Sequence, residues 1–372
     1  MKRLLLFISI FLLCSVASAA PVIDSTTGTF LQGEVVTMDI TNINADLSGS
    51  TTLVFDSLEG GAFADYWAGT NSLTVDGSVG YGQGSKSSSL NFNGSGDNGW
   101  VAGASSPTDM KWFCSYRFKL DEDWDWGTSV FNGTNKFLSN IKIFRMWNPG
   151  ATTENFVIAL QGWGDSIVYT TEKVGESGGG SFESGYQTSF SKGSYHQLSF
   201  QFMESSLDTL DGSISVWLDG QAILVDNTIK TRGSFTGMKR PLILGFDNVW
   251  SWDEDGGSGP DPSDDNPNGY HMDDIFANNS WVRAEVGDDP DYESCNNREI
   301  CEVTDITGNT VTITFNQGAF NVEETVYLFF VDKDGIASVG VAIVIGGTAS
   351  ANAEATVKIT GNATITGNVS FD

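Results

Sequence analysis

Tyr195, His271 and Arg145 are the residues of this chain whose types could do the most chemistry. A polymer of uronic acids is broken by elimination when a base, commonly tyrosine or histidine, removes the C5 proton while a cation neutralises the neighbouring carboxylate. Only two histidines are present, His196 and His271. His196 falls on the core phase of the alternating stretch YHQLSFQF, which makes it the poorer base. His271 shares its phase with Asp273 in YHMDDIF, which could poise it, and Tyr195 or Tyr270 beside Arg145 is the other arrangement. Catalysis is the alternative here, and binding without catalysis is the favoured reading.

That reading rests on strand phases. NIKIFRMWNPG, residues 140–150, sets cations among large apolar residues. Alternation sends Ser139, Ile141, Ile143, Arg145 and Trp147 one way and Asn140, Lys142, Phe144 and Met146 the other, unless a bulge intervenes. The same rule groups Gln161 with Trp163, and it turns Tyr195, Gln197, Ser199 and Gln201 outward while His196, Leu198, Phe200 and Phe202 face a core. In SISVWLDG, Ile214, Val216 and Leu218 point inward and Trp217 outward. Were these strands neighbours, one face would collect Arg145, Trp147, Gln161, Trp163, Tyr195, Gln197, Gln201 and Trp217. Flat rings cover the C–H faces of sugars, and amides with a guanidinium fix the hydroxyls, so such a face suits a glycan. It would suit equally well an interface with a second domain. Lys111, Arg117, Lys119, Lys136, Lys142 and Arg145 also crowd one region. They could bind an acidic polysaccharide or pair with the carboxylates of DEDWDWG.

Calcium is the ion expected. Residues 253–274 pack aspartates into a Gly- and Pro-rich loop, and hard oxygen donors on a flexible loop suit Ca²⁺. Asp273, Asp274 and Asp265 are the first candidates, although the spacing is not that of an EF-hand. No Cys/His cluster supports zinc. Cys295 and Cys301 bracket CNNREIC in a chain expected to be exported, and a local disulfide is expected between them. Cys114 alternates with aromatics and is expected to be a buried thiol.

The leader MKRLLLFISIFLLCSVASAA has the charged, apolar and small-residue parts of a secretory signal, so the protein is expected outside the cell or at its surface. The formal net charge is −28, with 47 acidic residues against 19 basic ones, which disfavours nucleic acid as a partner. No later segment is apolar enough for membrane insertion. Serine-hydrolase and P-loop signatures are absent.

Short alternating runs parted by Gly, Asn, Asp and Ser make this an all-β sequence. FDSLEGG, KWFCSYRFKL, FLSNIKIFRMW, YHQLSFQFMESS, GSISVWLDGQAI and YHMDDIFANNSWVRAEVGD together resemble the concanavalin A-like jelly roll of laminin-G-type lectin domains and several polysaccharide lyases. That resemblance implies a jelly-roll sandwich over residues 50–283 and a glycan partner. The E-x-D-x-x-E strand of laminarinase-like jelly rolls is missing, so two-carboxylate hydrolysis is disfavoured. Residues 21–49 and 284–347 resemble an immunoglobulin-like domain of the IPT/TIG kind, a smaller β-sandwich. Either the jelly roll is inserted into it, the favoured order, or the units follow in series. Residues 1–20 are the leader. The tail, 348–372, carries the repeat ITGNAT/ITGNVS, an edge that could pair with another subunit and make this a surface or filament protein.

Overall fold

The computed structural model describes residues 19–44, 110–124, 190–232 and 268–348 without a break, together with Tyr81 and the strands lying between these stretches. Side chains are described for 19–44, 110–124, 190–232 and 269–348, and for Tyr81, Ile143 and Phe144. Trp163, Asp265, the leader to residue 18 and the tail from 349 lie outside the described residues, as do the side chains of Arg145, Trp147 and Gln161.

The larger unit is a sandwich. An eight-stranded sheet places His196–Met203 between Gly212–Leu218 and Lys111–Leu120, with Asn268–Asn278 on the far side of Lys111–Leu120. A seven-stranded sheet holds Ile141–Asn148 between Ala151–Gln161 and Arg240–Asp247. Alternation explains the packing: Leu198, Phe200 and Phe202 are fully buried, as are Ile214, Tyr116 and Phe118. Each such large side chain contributes about 1.5–3 kcal/mol by burial. The two sheets meet where the Phe144 and Phe200 rings lie 3.8 Å apart and the Tyr116 hydroxyl donates to the Ile143 carbonyl at 2.8 Å. Cys114 is buried in this region as a thiol, its pKa pushed well up by burial. The bulge left open by the sequence is present, because the register slips between Lys142 and Phe144 against both neighbours and brings positions 142 and 145 into one phase.

The smaller unit is built from both ends of the described chain. Val22–Gly28 pairs with Val35–Thr41, which pairs with Thr310–Thr314. The sheet continues through Arg298–Thr307, Arg283–Gly287, Thr325–Val331 and Val341–Val344. It folds over on itself, so that Val36, Met38 and Ile313 from one half meet Val286, Leu328 and Phe330 from the other in a single apolar core. The chain therefore leaves this unit after its second strand and returns to it after the large sandwich is complete.

Cys295 and Cys301 are not joined; both are free thiols. Cys301 points into the core with Val286 and Phe330, whereas Cys295 packs with Tyr292 and Phe329. Phe329 and Phe330 are successive residues of one strand and face opposite ways, so the two sulfurs lie on opposite sides of the sheet. No described helix is long and apolar enough to cross a membrane.

Candidate functional site

Three neighbouring strands of the eight-stranded sheet set outward residues in rows. Lys119 pairs with His271 on one side, and one step beyond the His196–Phe118 pair its other neighbour is Tyr195. In the next row Arg117 stands between Gln197 and Asp273. Asp274, with φ 45°, then forms a bulge that resets the phase, so Tyr270, Met272 and Ile275 face the core while Phe276 turns outward.

The first row is half-buried at Tyr195 and Lys119. The Lys119 ammonium lies 5.7 Å from the centroid of the Tyr195 ring, within cation–π range. Tyr81 meets the same ring edge-on at 5.5 Å. His271 is buried and its Nε2 lies 2.9 Å from Asp121 Oδ1, so Asp121 is a carboxylate partner that the phase argument did not name. Asp121 sits in the turn that closes Lys111–Leu120, where Trp124 N–H donates to its carbonyl.

The second row belongs to the junction with the smaller unit. Arg117 Nη2 meets Glu299 Oε1 at 2.9 Å, Asn297 Oδ1 at 2.8 Å and the Arg298 carbonyl at 2.9 Å, with its guanidinium over the Tyr81 ring at 4.2 Å. Burial works against the charge of Arg117, yet Glu299, Tyr81 and Asp274 together outweigh it and hold the pKa up. The Tyr81 hydroxyl donates to Glu299 at 2.8 Å, and burial keeps that phenol protonated by pushing its pKa up. Asp273 accepts the Tyr81 and Asp274 N–H groups, both at 2.9 Å. Gln197 donates to the Arg298 carbonyl.

The remaining rows are covered. Phe113 and Phe276 pack with Ile300 and Trp281, whose indole N–H reaches the Trp112 carbonyl at 3.1 Å. Arg283 lies over Phe113 at 3.8 Å and reaches Gln201 Oε1 at 3.3 Å, while its other nitrogens bind Glu285 and the Tyr292 hydroxyl. Glu285 is shared with Arg298 at 3.4 Å. Lys111 joins from the side, donating to the Lys333 carbonyl over the Trp281 ring. The partners of Lys111 and Arg117 thus come from the smaller unit and not from DEDWDWG.

This geometry divides the expected sugar face. Arg145, Trp147 and Gln161 stand on strands of the seven-stranded sheet, whereas Tyr195, Gln197, Gln201 and Trp217 stand on or beside the eight-stranded one. Packing joins the inner faces of the two sheets, so the strands taken as neighbours are on different layers and the set is not one surface. Arg145 is likewise on the other sheet from Tyr195 and His271. The cations beside Tyr195 and His271 are Lys119 and Arg117. Tyr81 and Glu299 carried no local sequence signal, since both act through contacts distant along the chain.

His196 holds its core phase but is not apolar in role. Nδ1 lies 2.6 Å from Asp219 Oδ2, and Nε2 lies 2.8 Å from the Ser191 carbonyl. Burial opposes a charged ring, but Asp219 and that carbonyl outweigh it and raise the pKa. Ser191 Oγ is 3.2 Å from Nε2, yet a nitrogen whose hydrogen faces a carbonyl cannot take the hydroxyl proton. The Ser191–His196–Asp219 set is a clamp on the WLDG turn, where Asp219 also accepts the Gln197 N–H. Among the described residues no group of three or more His, Cys, Asp or Glu is placed to hold a metal ion.

No family model matches the chain, and no curated protein matches it. Solved structures of similar shape include the endo-β-1,4-glucuronan lyase of the fungus Trichoderma reesei (14% identity, 61% of this chain and 95% of that one, TM-score 0.43). The PL-14 alginate lyase of Aplysia kurodai is another (10% identity, 61% and 97%, TM-score 0.41), as is the alginate lyase vAL-1 of a Chlorella virus (14% identity, 61% and 99%, TM-score 0.40). At these values they are likenesses of shape, and no role is transferred from them.

Proposed function

We propose that this is an exported protein that binds an acidic, uronate-bearing polysaccharide at the Tyr195–Lys119–His271 row, with the smaller, IPT/TIG-like unit as scaffold. One observation carries the reading: in a half-buried row of the sheet, a cation stands over an aromatic ring beside a His–Asp pair. A sugar ring can lie on Tyr195 while its carboxylate meets Lys119. The same row favours a second reading, elimination from the bound uronate: Tyr195 takes the C5 proton, the C4–O4 bond breaks as the C4=C5 double bond forms, the departing oxygen takes a proton from water, and Lys119 stands beside the carboxylate. Calcium binding by the acidic segment 253–274 is part of the proposal, with Asp265, and Asp273 and Asp274 on the strand Asn268–Asn278, as its candidate ligands.

Native electrophoresis through gels containing alginate, polygalacturonate or a neutral glucan tests this. The protein is expected to be retarded by a uronate gel, less so at high salt, with Lys119→Ala weakening retention at least tenfold. Equal retention of wild type and variant would remove the row from the site. Chelator in the gel tests the calcium. Appearance of ultraviolet-absorbing unsaturated ends with wild type, and their loss in Tyr195→Phe, would favour elimination over simple binding.

A further inference from the structure

The second row of the sheet face is cationic too, and it is already occupied. Arg117 lies two residues from Lys119 on the same strand, about 7 Å along it. A polyanion passing down the face from Lys119 would reach this guanidinium next. Glu299 stands there instead, its carboxylate on Arg117 and accepting the Tyr81 hydroxyl. Asn297 Oδ1 and the Arg298 carbonyl accept from the same Arg117 nitrogen. A second wall rises at the Tyr195 end, where Gly212–Leu218 stops and turns through Asp219 and Gly220. That turn is seated on the smaller unit so closely that a Cβ on Gly220 would lie 2.1 Å from the Cys295 carbonyl oxygen, and Gln221 reaches Asn296 across it.

Resting on the binding reading above, we infer that Glu299 is an end-stop: it supplies to Arg117 the carboxylate that a further sugar residue would bring, so the site receives the terminal residue of a uronate chain and not an internal stretch. A threaded polymer would have to replace Glu299, Asn297 and a backbone carbonyl together. A chain end meets Lys119 and Tyr195 without disturbing them. Specificity for ends is therefore set by the smaller unit, through Glu299, and not by the sheet alone.

The full-length protein can be titrated in competition with alginate and polygalacturonate, each intact and after graded acid hydrolysis at constant mass. End recognition predicts that competing power rises with the number of chain ends, several-fold for a several-fold cut in length, and that affinity levels off at short oligomers. Competition that tracks mass irrespective of length would overturn the end-stop while leaving uronate binding intact. Absence of Lys119-dependent binding to any of these probes would instead overturn the underlying reading, and the inference with it. Glu299→Gln removes the internal carboxylate with little change of shape, and longer oligomers are expected to gain affinity over short ones. An unaltered length profile in a folded Glu299→Gln protein would also reject the end-stop. The wild-type competition stands alone should that variant fail to fold.

Discussion

Arg117 and Glu299 meet with side chains 5% and 1% exposed, so neither charge can be rescued by water if the other is removed. Arg117→Met is expected to cost about 3–5 kcal/mol in chemical denaturation, because it strands a buried carboxylate. Adding Glu299→Met to it should cost less than the sum of the single changes, and strict additivity would contradict a coupled pair. At this scale the sequence showed the phase of a residue but not its partner. The outward turn of Tyr195, Gln197 and Gln201 followed from alternation, as did the burial of His196. That Gln197 is spent on the Arg298 carbonyl, or His196 on Asp219, depends on elements brought together only by folding.

Strands were legible because half-buried β structure writes a period of two into the chain, as in Lys111–Leu120, His196–Met203 and Gly212–Leu218. Which strands become neighbours leaves no such trace, and that is why Trp147 and Trp217 were grouped although their strands lie on different sheets. The spacing of Cys295 and Cys301 misled for a related reason: closeness in sequence does not tell which side of a sheet each sulfur occupies. Alkylation in denaturant without reductant should label both cysteines, and protection of the pair would restore the disulfide. The WLDG turn rests on its glycine. Gly220 has φ 75° and sits against the Cys295 carbonyl, so Gly220→Ala meets both a strained backbone and a clash. A loss of more than about 1 kcal/mol is expected, read by thermal denaturation, and a neutral outcome would mean that the turn can lift from the smaller unit.

Across the molecule, the junction is a charged layer. Burial pushes the Glu285 carboxyl up, but Arg283 and Arg298 outweigh burial and hold it below the usual carboxylate range. A group with a folded pKa below its unfolded one stabilises fully above the unfolded value, and that support is lost as pH falls through the folded value. Stability should therefore drop on strong acidification, and Glu285→Gln, although weaker at neutral pH, should show a flatter acid limb; parallel limbs would assign the loss to other carboxylates. The path of the chain has a further consequence, for synthesis. Val35–Thr41 finds its second neighbour only when Thr310–Thr314 emerges, so the first hairpin must wait, with Val36, Met38 and Ile40 uncovered, while the entire large sandwich is made. Non-local pairing of this kind is slow and prone to capture by other chains. A nascent chain arrested before residue 310 is thus expected to contain a finished sandwich tethered to an adhesive N-terminal hairpin, a species that holding chaperones would favour and that completion of the last strands would release.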